Sequence, residues 1–513
     1  MWVGTAFAVG RADQEYRAPT SRPRRRSTSP ARSGIEVHEF DNLDFRKLDE
    51  SSDQAILDSD DRGGFAFTGA SLALAYTVDP QVRVFFEAGH RGLWGDDQIG
   101  SVNSFGGFLY IPSMYAELWT SPDPGKGARF QIGRQFFQIG GLGGARDYVL
   151  ADVLDMVRVD VALGDVGRLA HPAEPVLGVG NLAEVNFVSL LGQQYAETFD
   201  FRGDTLTRRF GGVLALDTLP IPVDATAYLF YTDVGARGTG SDISYDGALG
   251  NFSDNDWVLN AGVRASASLA DGLVRPYAHV DLSRGIDRKE VIVEDVDCNG
   301  LAYGLGVRID GDSMLEQGLP GISAEVSFFD AFGPAYAKNG QQYSHGYVGM
   351  KGQQAGGQLL NRFMGWHPTA YLGRNGVSDH PQNMERIAGT RVIHADVGFE
   401  LPLGFEGGIG WWLMQDNGIT FLAFSDLDNI NPPFGYSRAE YSAQRRLGQT
   451  LANEIDGELG WEFGEHVDIY AGAATVLPGS FYATTIDRVA GTALGSNAPV
   501  NAWAVYAGSQ VVF

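Results

Sequence analysis

Arginine and carboxylate side chains recur at every second position of otherwise apolar stretches, and this spacing holds what chemistry the chain can do. Arg83, Glu87 and Arg91 share one parity, while Val82, Val84, Phe86 and Ala88 share the other. Arg264 falls with Asn260 and Ser266 against Trp257, Leu259, Ala261, Val263 and Ala265. Arg275, Tyr277, His279 and Asp281 alternate with Val274, Ala278, Val280 and Leu282. Arg308 alternates, with Gly304 and Gly306, against Leu305, Val307 and Ile309. Glu454, Asp456, Glu458 and Glu462 make an acidic stripe against Ile455, Leu459, Trp461 and Phe463. A row of period two lies along one face of a β-strand. The chain has 33 Arg and only 5 Lys. Guanidinium groups are permanently charged and bind carboxylates in a bidentate fork, so the expected chemistry is anion recognition.

Bond-making chemistry is not expected. The histidines at 38, 90, 171, 279, 345, 367, 380, 394 and 466 are scattered, and neither H-E-x-x-H nor G-x-S-x-G occurs. Gly140–Gly144 lacks the Lys-Ser/Thr of a phosphate loop, and Cys298 reads as a loop thiol. Stacked carboxylates at 454–458 offer hard oxygen ligands for calcium, but no Asp-x-Asp-x-Asp-Gly loop accompanies them. The expectation is therefore no enzyme, no cofactor and no metal.

Charged rows need strands to hold them. Strand signals occur near 36–46, 65–76, 82–93, 110–120, 128–137, 153–162, 181–191, 207–217, 223–233, 256–268, 273–284, 299–309, 321–331, 388–400, 405–415, 450–462, 466–477 and 500–513. These make 18 strands, an even number, mostly long enough to cross a bilayer with tilt. Tight links at 78–81, 218–220, 270–272, 402–404 and 464–465 alternate with long ones such as 47–64, 234–255, 332–387 and 416–449; the link 163–180 is longer than its place requires. Short periplasmic turns and long extracellular loops are the asymmetry of an outer-membrane barrel, whereas a soluble sandwich has no reason to sort its loops. The fold class expected is all-β: a transmembrane antiparallel up-and-down barrel of about 18 strands.

Composition agrees. The 513 residues would by length make roughly three ordinary domains. No run of 18 apolar residues exists, so helical spans are excluded. With 38 basic and 63 acidic residues the net charge is −25, which argues against nucleic acid as a partner. Residues 1–34 read as a remnant of a secretory signal, with Ala6-Phe7-Ala8 at its end, or as a plain disordered basic tail. Residues 35–513 read as one barrel, with 332–387 as a lid or plug. Phe513 sits on the alternating parity of the last strand with Trp503, Val505, Ala507 and Val511. An aromatic end of this kind resembles the signal read by the barrel-assembly machinery.

If the apolar parity meets lipid, the other parity lines a lumen. That lumen then holds Arg83, Arg91, Arg129, Arg158, Arg264, Arg275 and Arg308 as residues that select or steer substrate. Their acidic companions are Glu87, Glu117, Asp160, Asp224, Asp281, Glu325, Asp396, Glu454, Asp456, Glu458, Glu462 and Asp468. Two roles stand open for these groups, steering an anion or bracing the wall as cross-strand ion pairs. Like charges as close as the 454–462 stripe lead us to expect Arg on a neighbouring strand. Arg134 and Arg391 fall on the lipid parity. They lie near the interface or are turned inward by a bulge at Gly133 or Gly389, and for Arg134 the bulge is favoured, which adds it to the lumen set.

Two stretches resemble the alginate-export family of outer-membrane channels. Phe130-Gln-Ile-Gly133-Arg134-Gln135 with Leu154-Asp155-Met156-Val-Arg158 is similar to its "GRQ … fDgvR" segment, with Leu154 and Met156 where that family has Phe and Gly. Leu447-Gly448, Asn453-Glu454-Ile455-Asp456 and Val476-Leu-Pro478-Gly479 are similar to its "lG.EiD … f.PG" ending. The resemblance covers about a fifth of the chain. It implies an 18-stranded barrel in the bacterial outer membrane exporting an acidic polysaccharide, with periplasmic export partners. The reading is a monomeric channel. The alternatives are a passive or substrate-selective uptake porin for small anionic solutes, and a structural barrel without transport.

Overall fold

A computed structural model describes residues 31–41, 63–95, 108–121, 128–139, 149, 151–165, 178–182, 186–188, 207–216, 222–234, 256–270, 272–287, 295–311, 320–333, 335–336, 342–349, 389–401, 404–416, 450–463, 466–479 and 501–512. Its strands are β1 (Ala31–Asp41), β2 (Gly63–Asp79), β3 (Val82–Gly95), β4 (Phe108–Trp119), β5 (Ala128–Gln138), β6 (Ala151–Asp165), β7 (Gly178–Leu182), β8 (Asn186–Val188), β9 (Thr207–Leu216), β10 (Val223–Val234) and β11 (Asp256–Ala267). They continue as β12 (Val274–Asp287), β13 (Val296–Asp297), β14 (Gly300–Ile309), β15 (Gly321–Ala331), β16 (Ala335–Tyr336), β17 (Gln342–Ser344), β18 (Thr390–Leu401), β19 (Phe405–Asp416), β20 (Thr450–Phe463), β21 (Val467–Pro478) and β22 (Ala502–Val512).

All belong to one sheet. Each long strand pairs antiparallel with its sequence neighbours, and β1 closes the ring on β22 from Arg32↔Val512 to Asp41↔Trp503. Apart from the short β13, β16 and β17, and with β7 and β8 as two pieces of one stave, the ring has eighteen staves. The barrel read from period and loop length is therefore present. β1 opens at Ala31, five residues before the expected strand and inside the stretch read as tail. The strand expected at 181–191 is split in two. The proposed signal remnant and Phe513 lie outside the described residues.

Closure agrees with the sequence pattern, because one parity is mostly apolar along the long staves and the sheet has no free edge left to pair. Leu72, Leu74, Val263, Val280, Leu305, Val326, Val397, Ile409 and Leu459 all stand exposed on the outer face. So continuous an apolar exterior belongs in lipid, where a closed barrel satisfies every backbone group internally. Aromatic pairs mark both rims. Phe405 and Trp461 stack at 5.2 Å near the short turns, and Tyr231 and Trp257 stack at 5.9 Å near the long loops. Such girdles sit where hydrocarbon gives way to headgroups. The architecture is that of an outer-membrane β-barrel.

The short turns are locally encoded. At Pro402-Leu403-Gly404, Gly404 takes a φ of +79°, which ordinary residues avoid. At 79–82, the Asp79 carboxylate accepts the Gln81 amide at 2.7 Å.

Candidate functional site: the lumen wall and its inward segment

The lumen is built by whichever parity the lipid does not take. On β12, Tyr277, His279, Asp281, Ser283, Gly285 and Asp287 are all buried while Ala278, Val280 and Leu282 are exposed. Register carries this alternation from stave to stave, so cross-strand partners share the lumen. Strand register places Arg83, Arg129, Arg158, Arg264, Arg275 and Arg308 on the inward face, as expected. For Arg91 and Asp160 only the register is described, and it gives both the inward parity.

Arg134 differs from expectation. Pairing runs without a shift through Met114↔Arg134, Tyr115↔Gly133 and Ala116↔Ile132 on one side, and through Gly133↔Met156 and Arg134↔Asp155 on the other. Gly133 has a φ of +131°, yet it inserts no extra residue. With Gln131 and Gln135 buried inward and Ile132 exposed outward, Arg134 keeps the outward parity. It stands opposite Asp155, four residues from the long-loop end of β5. Arg391 also stays outside, one residue from the start of β18, where its guanidinium meets Asp330 at 2.8 Å and Tyr303 donates to the same carboxylate. Neither arginine is turned inward; Arg391 lies at the strand end, as the interface reading expects, while Arg134 sits near the middle of β5 opposite Asp155.

Several inward arginines brace the wall. Arg129 lies 4.0 Å from Glu117 and over the Trp119 ring, and Gln131 donates to Glu117 at 2.6 Å. Arg264 is almost fully buried: it sits 3.8 Å from Asp281, donates to the Ile139 carbonyl and lies over Tyr228. Tyr228 in turn donates to Asp281 at 2.5 Å. Arg275 stands half exposed at the short-turn rim with Asp310 at 3.9 Å.

Charge is unevenly distributed among the staves. Strands β18 to β21 carry inward Asp396, Glu400, Glu406, Glu454, Asp456, Glu458, Glu462 and Asp468, while Glu87, Glu117, Asp160, Asp281 and Glu325 stand inward among the arginine-bearing staves. The five strands β18 to β22 contain no lysine and one arginine, Arg391, which faces outward. The expectation of Arg beside the 454–462 stripe is thus overturned. Gly408, Gly410 and Trp412 flank it on β19, and Gly472, Ala474 and Val476 on β21. At Glu458 a hydroxyl is a partner: Tyr506 passes over Gly472 and donates to it at 2.7 Å. In an eighteen-stave ring β5 and β6 lie nine staves from β18 and β19, so Arg129 and Arg158 occupy the wall opposite the acids.

Part of the long 332–387 segment is inside the barrel. β17 pairs with β16 and, in parallel, with β13, and the chain then runs along the inward face of β11 and β12. Asn260 donates to the Val348 carbonyl at 2.6 Å, the Val348 amide donates to Ser283 at 3.0 Å, and His345 pairs with Asp287. Tyr347 and Val348 are wholly buried, as is Cys298, which was read as a loop thiol. Burial, and then the Asp281 carboxylate, push the Tyr347 phenol well above its ordinary range, so it stays neutral.

Sequence reading missed a second grouping. Glu325 on β15 stands directly opposite Asp396 on β18, and His394 is two residues earlier on the same face. One imidazole and two carboxylates come within 4.8 Å of one another there, all buried. Residues 325 and 394 lie far apart in the chain, and only the pairing of β15 with β18 joins them. The two halves of each family-like motif also meet across one strand pair: Gln131↔Arg158 on β5 and β6, and Ala452↔Pro478 on β20 and β21.

No known family profile matches the chain, and no curated protein does. The resemblance to alginate-export channels therefore rests on the quoted residues alone. Among solved structures, the chain is similar to Wzi, an outer-membrane protein involved in group 1 capsule assembly in Escherichia coli and a carbohydrate-binding β-barrel. Identity is 9%, with 99% of this chain and 88% of that chain covered and a TM-score of 0.44. It is similar to OpdK of Pseudomonas aeruginosa, solved with vanillate, at 10% identity, covering 95% and 98%, with a TM-score of 0.42. It is similar to OprB of Pseudomonas putida at 8% identity, covering 94% of each chain, with a TM-score of 0.40. Superpositions this loose carry no argument about function, and the fold is read from the strand pairing itself.

Proposed function

We propose that this protein is an outer-membrane channel that passes an anionic, uronate-type polysaccharide outward along the arginine side of its lumen. The observation that carries the reading is the distribution of charge: inward arginines, with carboxylates among them, on β3, β5, β6, β11, β12 and β14, and inward acids without an inward arginine or lysine on β18 to β21. Each uronate carboxylate can exchange between guanidiniums spaced around one wall. The acidic staves, which lie opposite Arg129 and Arg158, shorten the time a polyanion dwells, which conduction requires. Arg264 is set apart from this role, because Asp281 and the Ile139 carbonyl already hold it in packed surroundings.

Planar-bilayer recordings under a salt gradient test the reading. Arg158→Glu and Arg308→Glu are expected to move the reversal potential toward cation preference, and unchanged potentials would remove both from selectivity. Added oligouronate should block the wild-type current and block the variants less. A current indifferent to oligouronate sinks the polysaccharide reading.

One observation favours the second reading, a passive or substrate-selective uptake porin for small anionic solutes. The inward segment 342–349 occupies lumen space that a polymer would need. Uptake expects flux of small carboxylated solutes. Export expects co-purification with periplasmic scaffold and synthase proteins.

A further inference from the structure

We infer that Glu325, His394 and Asp396 form a binding site for a divalent first-row transition-metal ion in the lumen wall. Their ligating atoms all lie within 4.8 Å of one another. Metal bonds to imidazole and carboxylate are about 2.0–2.2 Å, so opposed ligands of one ion sit about 4 Å apart, and small side-chain rotations close the remaining gap. His394 Nδ1 is 4.0 Å from Glu325 Oε1, and its Nε2 is 3.4 Å from Asp396 Oδ2. These contacts involve different ring nitrogens, so one ion takes a single imidazole nitrogen and the second carboxylate must turn toward it within the 4.8 Å cluster.

The surroundings point the same way. Relative exposure is 2% for Glu325 and 6% for each of His394 and Asp396. Two buried carboxylates held directly opposite each other repel strongly, and an ion ligated by both converts that repulsion into binding. Outer contacts fix the donors, as metal sites require. Tyr277 donates to Glu325 Oε1 at 2.8 Å, and Trp412 stacks on the His394 ring at 3.8 Å. One nitrogen with two carboxylate oxygens suits zinc, cobalt, nickel or manganese better than calcium or magnesium, which take oxygen alone. Three protein ligands leave the remaining coordination positions to water or to a solute carboxylate. Arg308, opposite Glu325 on β14, is the cation that competes with the ion for that carboxylate.

The test uses the whole chain purified in detergent, stripped with chelator and titrated with Co²⁺. We expect one ion per chain, a visible absorption band, and a paramagnetically shifted imidazole N–H signal. Asp396→Asn and His394→Ala should weaken binding by at least about 100-fold, more than loss of an outer contact does. Tyr277→Phe, which keeps all three ligands, should weaken it by about 10-fold. Arg308→Gln should tighten it, an outcome that ion-pair bracing alone does not give. His279→Ala, a buried lumen histidine on β12, should leave it unchanged. Three results would overturn the site: no stoichiometric Co²⁺ in the wild type, an oxygen-only signature without the imidazole resonance, or equal retention by Asp396→Asn. The imidazole resonance is read on the wild type, so the inference stays open to refutation even if a variant does not fold.

Discussion

At the scale of single residues, the lumen is organised by side chains that lie flat across a glycine to reach the stave beyond it. Tyr277 crosses Gly306 to Glu325, Tyr506 crosses Gly472 to Glu458, and Tyr228 crosses Gly262 to Asp281. In each case a Cβ on the glycine would collide with the tyrosine ring or hydroxyl. Gly472→Val should therefore dislodge Tyr506 and cost about 1–3 kcal/mol, the range of an overpacked core. Tyr506→Phe should cost about 1 kcal/mol, the net worth of one hydrogen bond. Urea unfolding in lipid vesicles measures both, and a wild-type midpoint for Gly472→Val would show that the ring has room to move. The inward parity of Gly304, Gly306 and Tyr277 was legible in the sequence. The tyrosine contacts were not, because they depend on register between strands, which alternation within a strand does not contain. The same limit explains why β19 and β21 bring no arginine to the stripe: which residues face it depends on register, and at Glu458 the Tyr506 hydroxyl is a partner.

At the scale of elements, every expected wall strand appears, because period two and the sorting of loop lengths are both local signals. Boundaries fail where the local signal is absent. Ala31–Gly34 shows no apolar alternation, and its place in β1 comes from backbone pairing with β2 and β22. The Arg134 bulge failed for a related reason: a glycine on a strand suggests a bulge, but only the pairing tells whether a residue has been inserted. The inward segment 342–349 was legible merely as a long loop. Its position is set by Asn260 and Ser283, which look like ordinary lumen polar residues in sequence. Deleting 340–380 should raise single-channel conductance. Asn260→Ala with Ser283→Ala should make the open level noisier, because three hydrogen bonds to the segment are lost. An unchanged conductance after deletion would count against the segment as a constriction.

At the scale of the molecule, an apolar jacket surrounds a wall of opposed charges. The jacket predicts that cost depends on which face a charge enters. Ile409→Arg, in the middle of the outward face of β19, should lower stability by about 2–4 kcal/mol. The same change at Gly408, inward and beside the acidic stripe, should be tolerated far better in charge terms, although its side chain must find room. Equal losses at the two positions, or a protein that stays dispersed without detergent, would contradict a lipid-facing exterior. The closing pair of β1 with β22 has a consequence of its own. Ten consecutive partners join β1 to β22, so the ring gains its last row of backbone bonds only when both strands are in hand. Until then two unsatisfied rims face each other like the lips of an unzipped sleeve. Closure of the ring must therefore wait for both β1 and β22, and a variant in which those two strands are joined directly and the ring is cut open in a surface loop should still form the same cylinder.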